Sequence, residues 1–172
     1  MEIEKNATLF GTPQQLWQLL LNPQVMGACV PGMKSIEVIS PTEYLASMEV
    51  KISFLTAKFK IKTVIAEQDE PKYLKSQGTG EDSSIASSFK QTTCIWLSDA
   101  TLDSQNPHCA LRMLVDVTML GRIGSFGLSA MKTKADLMWD EFILKLRAQE
   151  LPGMVLPDVV DPDVVQLVPP TD

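Results

Sequence analysis

The sequence predicts an α+β fold in which a seven-stranded, curved antiparallel sheet wraps around one long C-terminal helix, with two short helices after the first strand. Three observations carry this. Strand-like and helix-like runs stand in separate blocks rather than alternating. The apolar period is helical between Gln14 and Cys29, switches to two from Ser35, and returns to steps of three and four after Arg122. The chain has 172 residues, 45% of them hydrophobic and 21% charged, which is the composition of one globular domain with its own core. A sheet curved over a helix leaves a cavity, so the architecture itself raises the question of a ligand.

Residues 2–10 mix Ile3, Ala7, Leu9 and Phe10 with polar positions and end at Gly11-Thr12-Pro13, a strand followed by a breaker. Thr12 as N-cap and Pro13 at the first helical position open a helix over Gln14 to Leu21, with Leu16, Trp17, Leu20 and Leu21 on helical spacing. Asn22-Pro23 stops it. A second short helix, Gln24 to Cys29, ends where Pro31 pushes Val30 to an extended conformation and Gly32 permits a turn. Ser40-Pro41-Thr42-Glu43 then separates strands over Ser35 to Ile39 and Tyr44 to Ile52, the second alternating Ala46, Met48, Val50 and Ile52 with polar residues. Phe59, Ile61, Thr63 and Ile65 likewise alternate with Lys58, Lys60 and Lys62. A fifth strand starts at Tyr73 after Asp69-Glu70-Pro71, and Gly78-Thr79-Gly80-Glu81-Asp82 reads as the turn that ends it. Ile85 to Leu97 and Ala110 to Leu120 are long strands joined by the polar loop Asp99 to Pro107.

From about Arg122 to Ala148 the spacing predicts a long helix. It presents Leu128, Met131, Ala135, Met138, Phe142 and Leu146 to the sheet, and can pair Lys132 with Asp136 and Glu141 with Lys145 on wetter faces. Five prolines after Leu151 forbid helix and predict an extended, polyproline-like tail. The expected division is therefore a ligand-binding domain over 1–148 and a Pro-rich acidic tail over 149–172.

Charge and composition exclude several classes. Residues 1–149 carry 15 basic and 16 acidic side chains, and the remaining five acids follow Gln149, where no basic residue occurs. A near-neutral body with an acidic tail lacks the basic surplus that nucleic acid demands, so DNA and RNA are discarded as partners. No apolar run is long enough to span a bilayer, and the N-terminus has no signal-peptide pattern, which places the expected location in the cytoplasm. Cys29, Cys94 and Cys109 show neither a disulfide framework nor zinc-ligand spacing and read as buried thiols. No metal or cofactor site is read.

The segment Asn22-Pro23-Gln24-Val25-Met26-Gly27-Ala28-Cys29-Val30-Pro31-Gly32-Met33 resembles the D/N-P-x-x-L-x-x-C-I-P-G signature of the carbon monoxide dehydrogenase G-subunit family, within the START-like (SRPBCC) helix-grip superfamily. Trp17, Phe59, Pro71 and Gly121-Arg122-Ile123-Gly124-Ser125-Phe126-Gly127 match in order, so the resemblance covers roughly residues 1–148. Ser129 stands where the family usually carries Arg, and Asp82-Ser83-Ser84-Ile85 where it is glycine-rich. The resemblance implies a helix-grip protein that binds a hydrophobic small molecule, quinone- or lipid-like, and serves a molybdenum hydroxylase of the carbon monoxide dehydrogenase type. It also implies a peripheral contact with the inner face of the cell membrane, recruiting the enzyme there or to an electron chain. An acidic tail is repelled by anionic lipid, so partner binding is the better role for residues 149–172.

Strand parity gives the expected pocket lining: Met26, Met48, Val50, Phe59, Ile61, Phe89, Gln91, Ile95, Met113, Val115, Gly127 and Met131. Methionines at Met26, Met48, Met113, Met119, Met131 and Met138 suit a flexible apolar ligand, although core packing accounts for each singly. Gln91 and Thr93 are candidate polar groups for a ligand carbonyl. The opposite phase of that strand, with Cys94 and Trp96 inward, is also open. His108 sits beside Cys109, but the two point to opposite strand faces and form no nucleophile–base pair. Gly121-x-x-Gly124-x-x-Gly127 lacks the P-loop ending, so its glycines are read as allowing close packing against the sheet or space for a ligand. Lys58, Lys60 and Lys62 read as a solvated stripe balanced by neighbours such as Glu49, with a dock for an acidic partner surface or lipid headgroups as the other reading. No convergent acid–base pair is visible, so the expected protein is not an enzyme. A small cyclase, dehydratase or hydrolase in the same cavity, and a structural adaptor acting through its tail, are the alternatives.

Overall fold

The computed structural model describes residues 1–153. The chain order is β1 (Glu2–Phe10), α1 (Pro13–Leu20), α2 (Pro23–Cys29), β2 (Met33–Ser40), β3 (Glu43–Ile52), β4 (Leu55–Asp69), β5 (Tyr73–Asp82), β6 (Ser87–Asp99), β7 (His108–Gly121) and α3 (Gly127–Arg147), with 3-10 turns at Ser83–Ile85 and Ile123–Phe126. The seven strands form one antiparallel sheet in the order β1-β7-β6-β5-β4-β3-β2. Consecutive strands pair from β2 to β7, and β1 closes against β7 with Ile3 opposite Val115 and Leu9 opposite Cys109. Of the expected tail over 149–172, residues 154–172 lie outside the described residues.

Local chemistry sets the short helices. Thr12 makes a capping box: its hydroxyl accepts from the Gln15 amide at 3.2 Å, and the Gln15 side chain accepts from the Thr12 amide at 3.0 Å. Asn22 Oδ1 accepts from the amides of Gln24 and Val25, and Pro23 occupies the first helical position, where no amide hydrogen is needed. Both helices bury their apolar side on the sheet through Leu16, Trp17, Leu19 and Cys29.

Four expectations are corrected. The glycine-rich stretch Gly78 to Asp82 is not a turn but the second half of β5, paired residue for residue with Ser87 to Gln91. Gly78 and Gly80 leave room there for the side chains of Gln91 and Phe89, which lie across them. The long helix does not begin at Arg122: a 3-10 turn precedes it, and Gly127, at φ 82° and ψ 165°, breaks the backbone between the two. Leu128 follows that break and is 63% exposed instead of packing on the sheet, whereas Met131, Ile143 and Leu146 are buried. Finally, Asp136 pairs with Lys5 of β1 rather than with Lys132, while Glu141 and Lys145 do pair at 2.8 Å. The first glycines of Gly121-x-x-Gly124-x-x-Gly127 serve close packing as expected: a Cβ at Gly124 would meet the Met119 carbonyl oxygen at 2.8 Å, and one at Gly121 the Ala86 carbonyl oxygen at 1.8 Å.

The core is divided. One apolar cluster joins α1, α2 and the end of α3 to the sheet through Leu16, Trp17, Leu74, Leu97, Leu111 and Leu146. A second lies at the other end, around Ile52, Ala57, Phe59, Phe89, Ile123 and Met131.

Candidate functional site

Between the two clusters the inner face of the sheet is polar. Register places Gln91, Gly78, Thr63 and Tyr44 in one row across β6, β5, β4 and β3, and Thr93, Ser76 and Ile65 in the next. Gln91, Thr93, Ser76, Thr63 and Tyr44 are all only half buried although they face α3. α3 packs chiefly on α2, β1 and β3, so it spans this band from its sides. A half-exposed polar band between two apolar clusters results, the kind of surface that covers an apolar body and orients a polar group on it.

The predicted lining residues divide between the clusters. Met48, Val50, Phe59, Ile61, Phe89, Val115 and Met131 belong to or pack on the second cluster, and Met26 and Ile95 pack on the first. Phe59 and Phe89 meet edge to face at 4.9 Å and fill their end with side chain. Gln91 lies in the polar band, and Met113 sits beside it on β7, opposite Ile95 and Lys5. Gly127 joins neither group: a side chain there would meet nothing within 4 Å. The phase of β6 has Gln91, Thr93 and Ile95 inward, with Trp96 outward under the Arg112 guanidinium, 4.7 Å from its ring centre. Arg112 in turn donates to Glu4 at 2.8 Å on that outer face.

Sequence reasoning missed Lys5. It falls in phase with Ile3, Ala7 and Leu9, so its stem runs inward, 19% exposed, to an ion pair with Asp136 of α3, which is 60% exposed. The signal was present in the alternation of β1, where Lys5 is the single charged residue among the inward positions. Tyr44, Thr63 and Ser76 were also missed, because their place beside Gln91 depends on register across four strands.

Ionisable groups nearby are structural. Asp82 is buried at the end of β5, where the Ser84 hydroxyl at 2.6 Å and the Lys58 amide at 2.7 Å donate to it and hold its carboxyl below the ordinary range. Burial raises the Cys29 thiol and pushes Cys109 up to about 11, so both stay protonated at neutral pH. Cys94, expected to be buried like them, is only half covered, because the phase of β6 turns it to the outer face. His108 bonds the Asn106 carbonyl oxygen through Nδ1 at 2.8 Å and touches Phe10, away from the polar band. Among the described residues no three His, Cys, Asp or Glu side chains are grouped to hold a metal ion. No described helix is long and apolar enough to cross a membrane. The lysine stripe is a balanced surface: Lys62 pairs with Glu43 at 2.8 Å, and Lys58 and Lys60 stand opposite Glu49 and Glu81.

A separate hollow of about 660 Å³ opens at the far end, lined by Phe10, Leu16, His108, Leu146, Arg147 and Leu151. None of the predicted lining residues reaches it. Arg147 is committed there to the Thr8 carbonyl oxygen at 3.2 Å, and Leu151 packs on Gly11.

Residues 10–149 match the family model for CoxG, the G subunit of carbon monoxide dehydrogenase. No curated protein matches the chain in sequence. Among solved structures, a conserved protein from Geobacillus kaustophilus is similar at TM-score 0.76 and 20% identity, over 86% of this chain and 93% of that one. A START superfamily protein from Mycobacterium smegmatis is similar at TM-score 0.63 and 12% identity, over 86% and 94%. The Zhui aromatase/cyclase from Streptomyces sp. R1128 is similar at TM-score 0.56 and 10% identity, over 86% and 92%. At such identities these likenesses establish the START-like fold and nothing finer.

Proposed function

The chain belongs to the CoxG family of carbon monoxide dehydrogenase G subunits, and from that premise we propose that it is a non-catalytic carrier of a quinone- or lipid-like molecule, acting in the cytoplasm as accessory factor to a molybdenum hydroxylase. The observation that carries this reading is the half-open polar band of Thr63, Ser76, Gln91 and Thr93 between two apolar clusters. Burying the apolar body of a ligand there gains roughly 25 cal/mol per Å² removed from water, and Gln91 or Thr93 supplies a hydrogen bond to a carbonyl. Of the lining expected from parity, Gln91, Ile95, Met113 and Val115 border the band and are the residues we assign to the ligand, whereas Met48 and Val50 stand opposite Phe59 and Ala57 at the packed end. Phe59, Ile61, Phe89 and Met131 form the packed floor at one end.

The enzymatic alternative draws on the fold shared with an aromatase/cyclase. It needs titratable groups free to act, and two that lie on the sheet's inner face, Lys5 and Asp82, are each engaged in the protein's own contacts. The test is to purify the protein natively, extract it with organic solvent and analyse the extract by mass spectrometry. A stoichiometric quinone or lipid is expected, and Thr93→Trp, which fills the band, should reduce its yield in a folded variant. An empty extract together with failure to take up added quinone or lipid would reject the carrier reading.

A further inference from the structure

We propose that the molecule held on the polar band is a long-chain carboxylic acid, and that its carboxylate sits on Lys5 in the place Asp136 now takes. The inference rests on the carrier reading and chooses within it, an acid lipid rather than a quinone. Lys5 Nζ pairs with Asp136 of α3, and the two partners differ in cover: the Lys5 side chain is 19% exposed and that of Asp136 60%. The ammonium therefore belongs to the inner face, whereas the carboxylate stands largely in water and returns to it at little cost. An incoming carboxylate replaces it one for one and leaves the ammonium paired.

Position and charge select the ligand. Lys5 stands opposite Met113, Met113 opposite Ile95 and Ile95 opposite Leu74, in one row of the inner face. Thr93 and Ser76 fall in the adjoining row. Met113, Ile95 and Thr93 are only half buried, so an apolar chain laid from Lys5 across Met113 and Ile95 covers surface still open to water, beside the hydroxyls. Among the inward positions of β1 and of β3 to β7 the charged residues are Lys5 and Asp82, and Asp82 is held by the Lys58 amide and Ser84 at the far end of β5. Glu2 and Glu4 share the outer face of β1, where Glu4 pairs with Arg112. The terminal ammonium of Met1 bonds the Val117 carbonyl oxygen at 2.8 Å and stands 3.8 Å from Asp116. On α3, Lys145 pairs with Glu141, Lys132 and Asp140 are exposed one turn to either side of Asp136, and Lys134 is half buried. One covered cation at the head of an apolar track fits a monoanion with an apolar chain. A phosphate monoester would bring a second negative charge onto a face that offers one cation, and a neutral quinone would leave the ammonium to Asp136.

Equilibrium dialysis of the lipid-stripped full-length protein against radiolabelled laurate and dodecanol compares the two heads on one chain. At neutral pH laurate should bind about tenfold more tightly than the alcohol, as a hydrogen bond to a charged group does against a neutral one. Lys5→Met should lower laurate affinity by about tenfold and leave dodecanol unchanged, and Lys5→Arg, which keeps the charge, should keep the preference. Asp136→Asn, which removes the competing carboxylate, should tighten laurate. Circular dichroism and melting establish that each variant is folded. Equal affinity for the two heads, a preference that survives Lys5→Met, or laurate binding that Asp136→Asn fails to tighten overturns the proposal. Uptake of dodecanol and of decylubiquinone with no preference for laurate overturns it and leaves the carrier reading standing, whereas uptake of none of the three overturns both.

Discussion

The ring of Phe89 lies across Gly80, in the space a side chain at position 80 would take. A Cβ there would stand 2.2 Å from Phe89 Cε1. From this seat on β5 the ring reaches Phe59 of β4 edge on, at an interplanar angle of 85°, and packs the apolar end beside the polar band. Gln91 repeats the arrangement one row along, over Gly78, where a Cβ would come within 3.1 Å of its side chain.

Gly80→Ala should therefore overpack the Phe59–Phe89 cluster and destabilise the protein by about 1–3 kcal/mol. In a Phe89→Ala background, itself strongly destabilised, the same substitution should cost almost nothing more. Urea unfolding of the four proteins measures the coupling, and an additive cycle would show that the two positions do not share space.

Gly127→Ala tests whether the exposed glycine at the start of α3 serves the backbone. Nothing would touch the added methyl, yet φ 82° with ψ 165° is a region held almost only by glycine. A loss of about 1–3 kcal/mol is expected from conformation alone. Gly121→Ala should cost more, since its Cβ would also collide with the Ala86 backbone. Comparable stability of wild type and Gly127→Ala in thermal melts would remove the strain argument.

The carboxyl of Asp82 should contribute an acid limb to stability. The Ser84 hydroxyl, then the Lys58 amide, hold its folded pKa below the ordinary 3.8. The stabilisation is thus fully present above pH 3.8 and is lost as the pH falls through the lower folded value. Asp82→Asn should be less stable at neutral pH and flatter below pH 3.8, which a series of urea midpoints against pH would read out.

Thiol reactivity should separate the three cysteines. Cys29 and Cys109 are buried with raised pKa, whereas Cys94 is half buried on the outer face, where the Tyr73 hydroxyl donates to its sulfur at 3.5 Å. An aromatic disulfide reagent at mildly alkaline pH should modify Cys94 first and the other two only on unfolding. Equal rates for all three in the folded protein would contradict the packing of α2 and β7.

Lys5 and Asp136 tie β1 to α3, but a pair whose carboxylate is largely in solvent is worth at most about 1 kcal/mol. Lys5→Met should be close to neutral, with its stem already among apolar neighbours. Asp136→Ala should cost more, because it leaves the mostly covered ammonium without its partner. Melting of the two variants at low and high salt distinguishes them.

Local rules made much of this molecule legible in the amino-acid sequence. Caps at Thr12 and Asn22 and the extended Val30 before Pro31 are decided within a few residues, so the two short helices could be placed closely. Period-two alternation likewise gave the inward parity of Phe59, Ile61 and Phe89, and the helical steps gave Met131, Phe142 and Leu146. The Asn22 to Met33 segment carried the family. Tertiary structure alone decided what each position meets. Gly78 and Gly80 read as a turn because glycine is a breaker in isolation, and they are strand because Gln91 and Phe89, from the next strand, fill the gap above them. Asp136 left its helical neighbour Lys132 for Lys5, which stands 131 residues away in the chain. The gathering of Thr63, Ser76, Gln91 and Thr93 into one band, and the exposure of Leu128, depend on strand register and on where α3 crosses the sheet. Those are relations between distant segments, and periodicity, which compares a residue only with its near neighbours, carries no information about them.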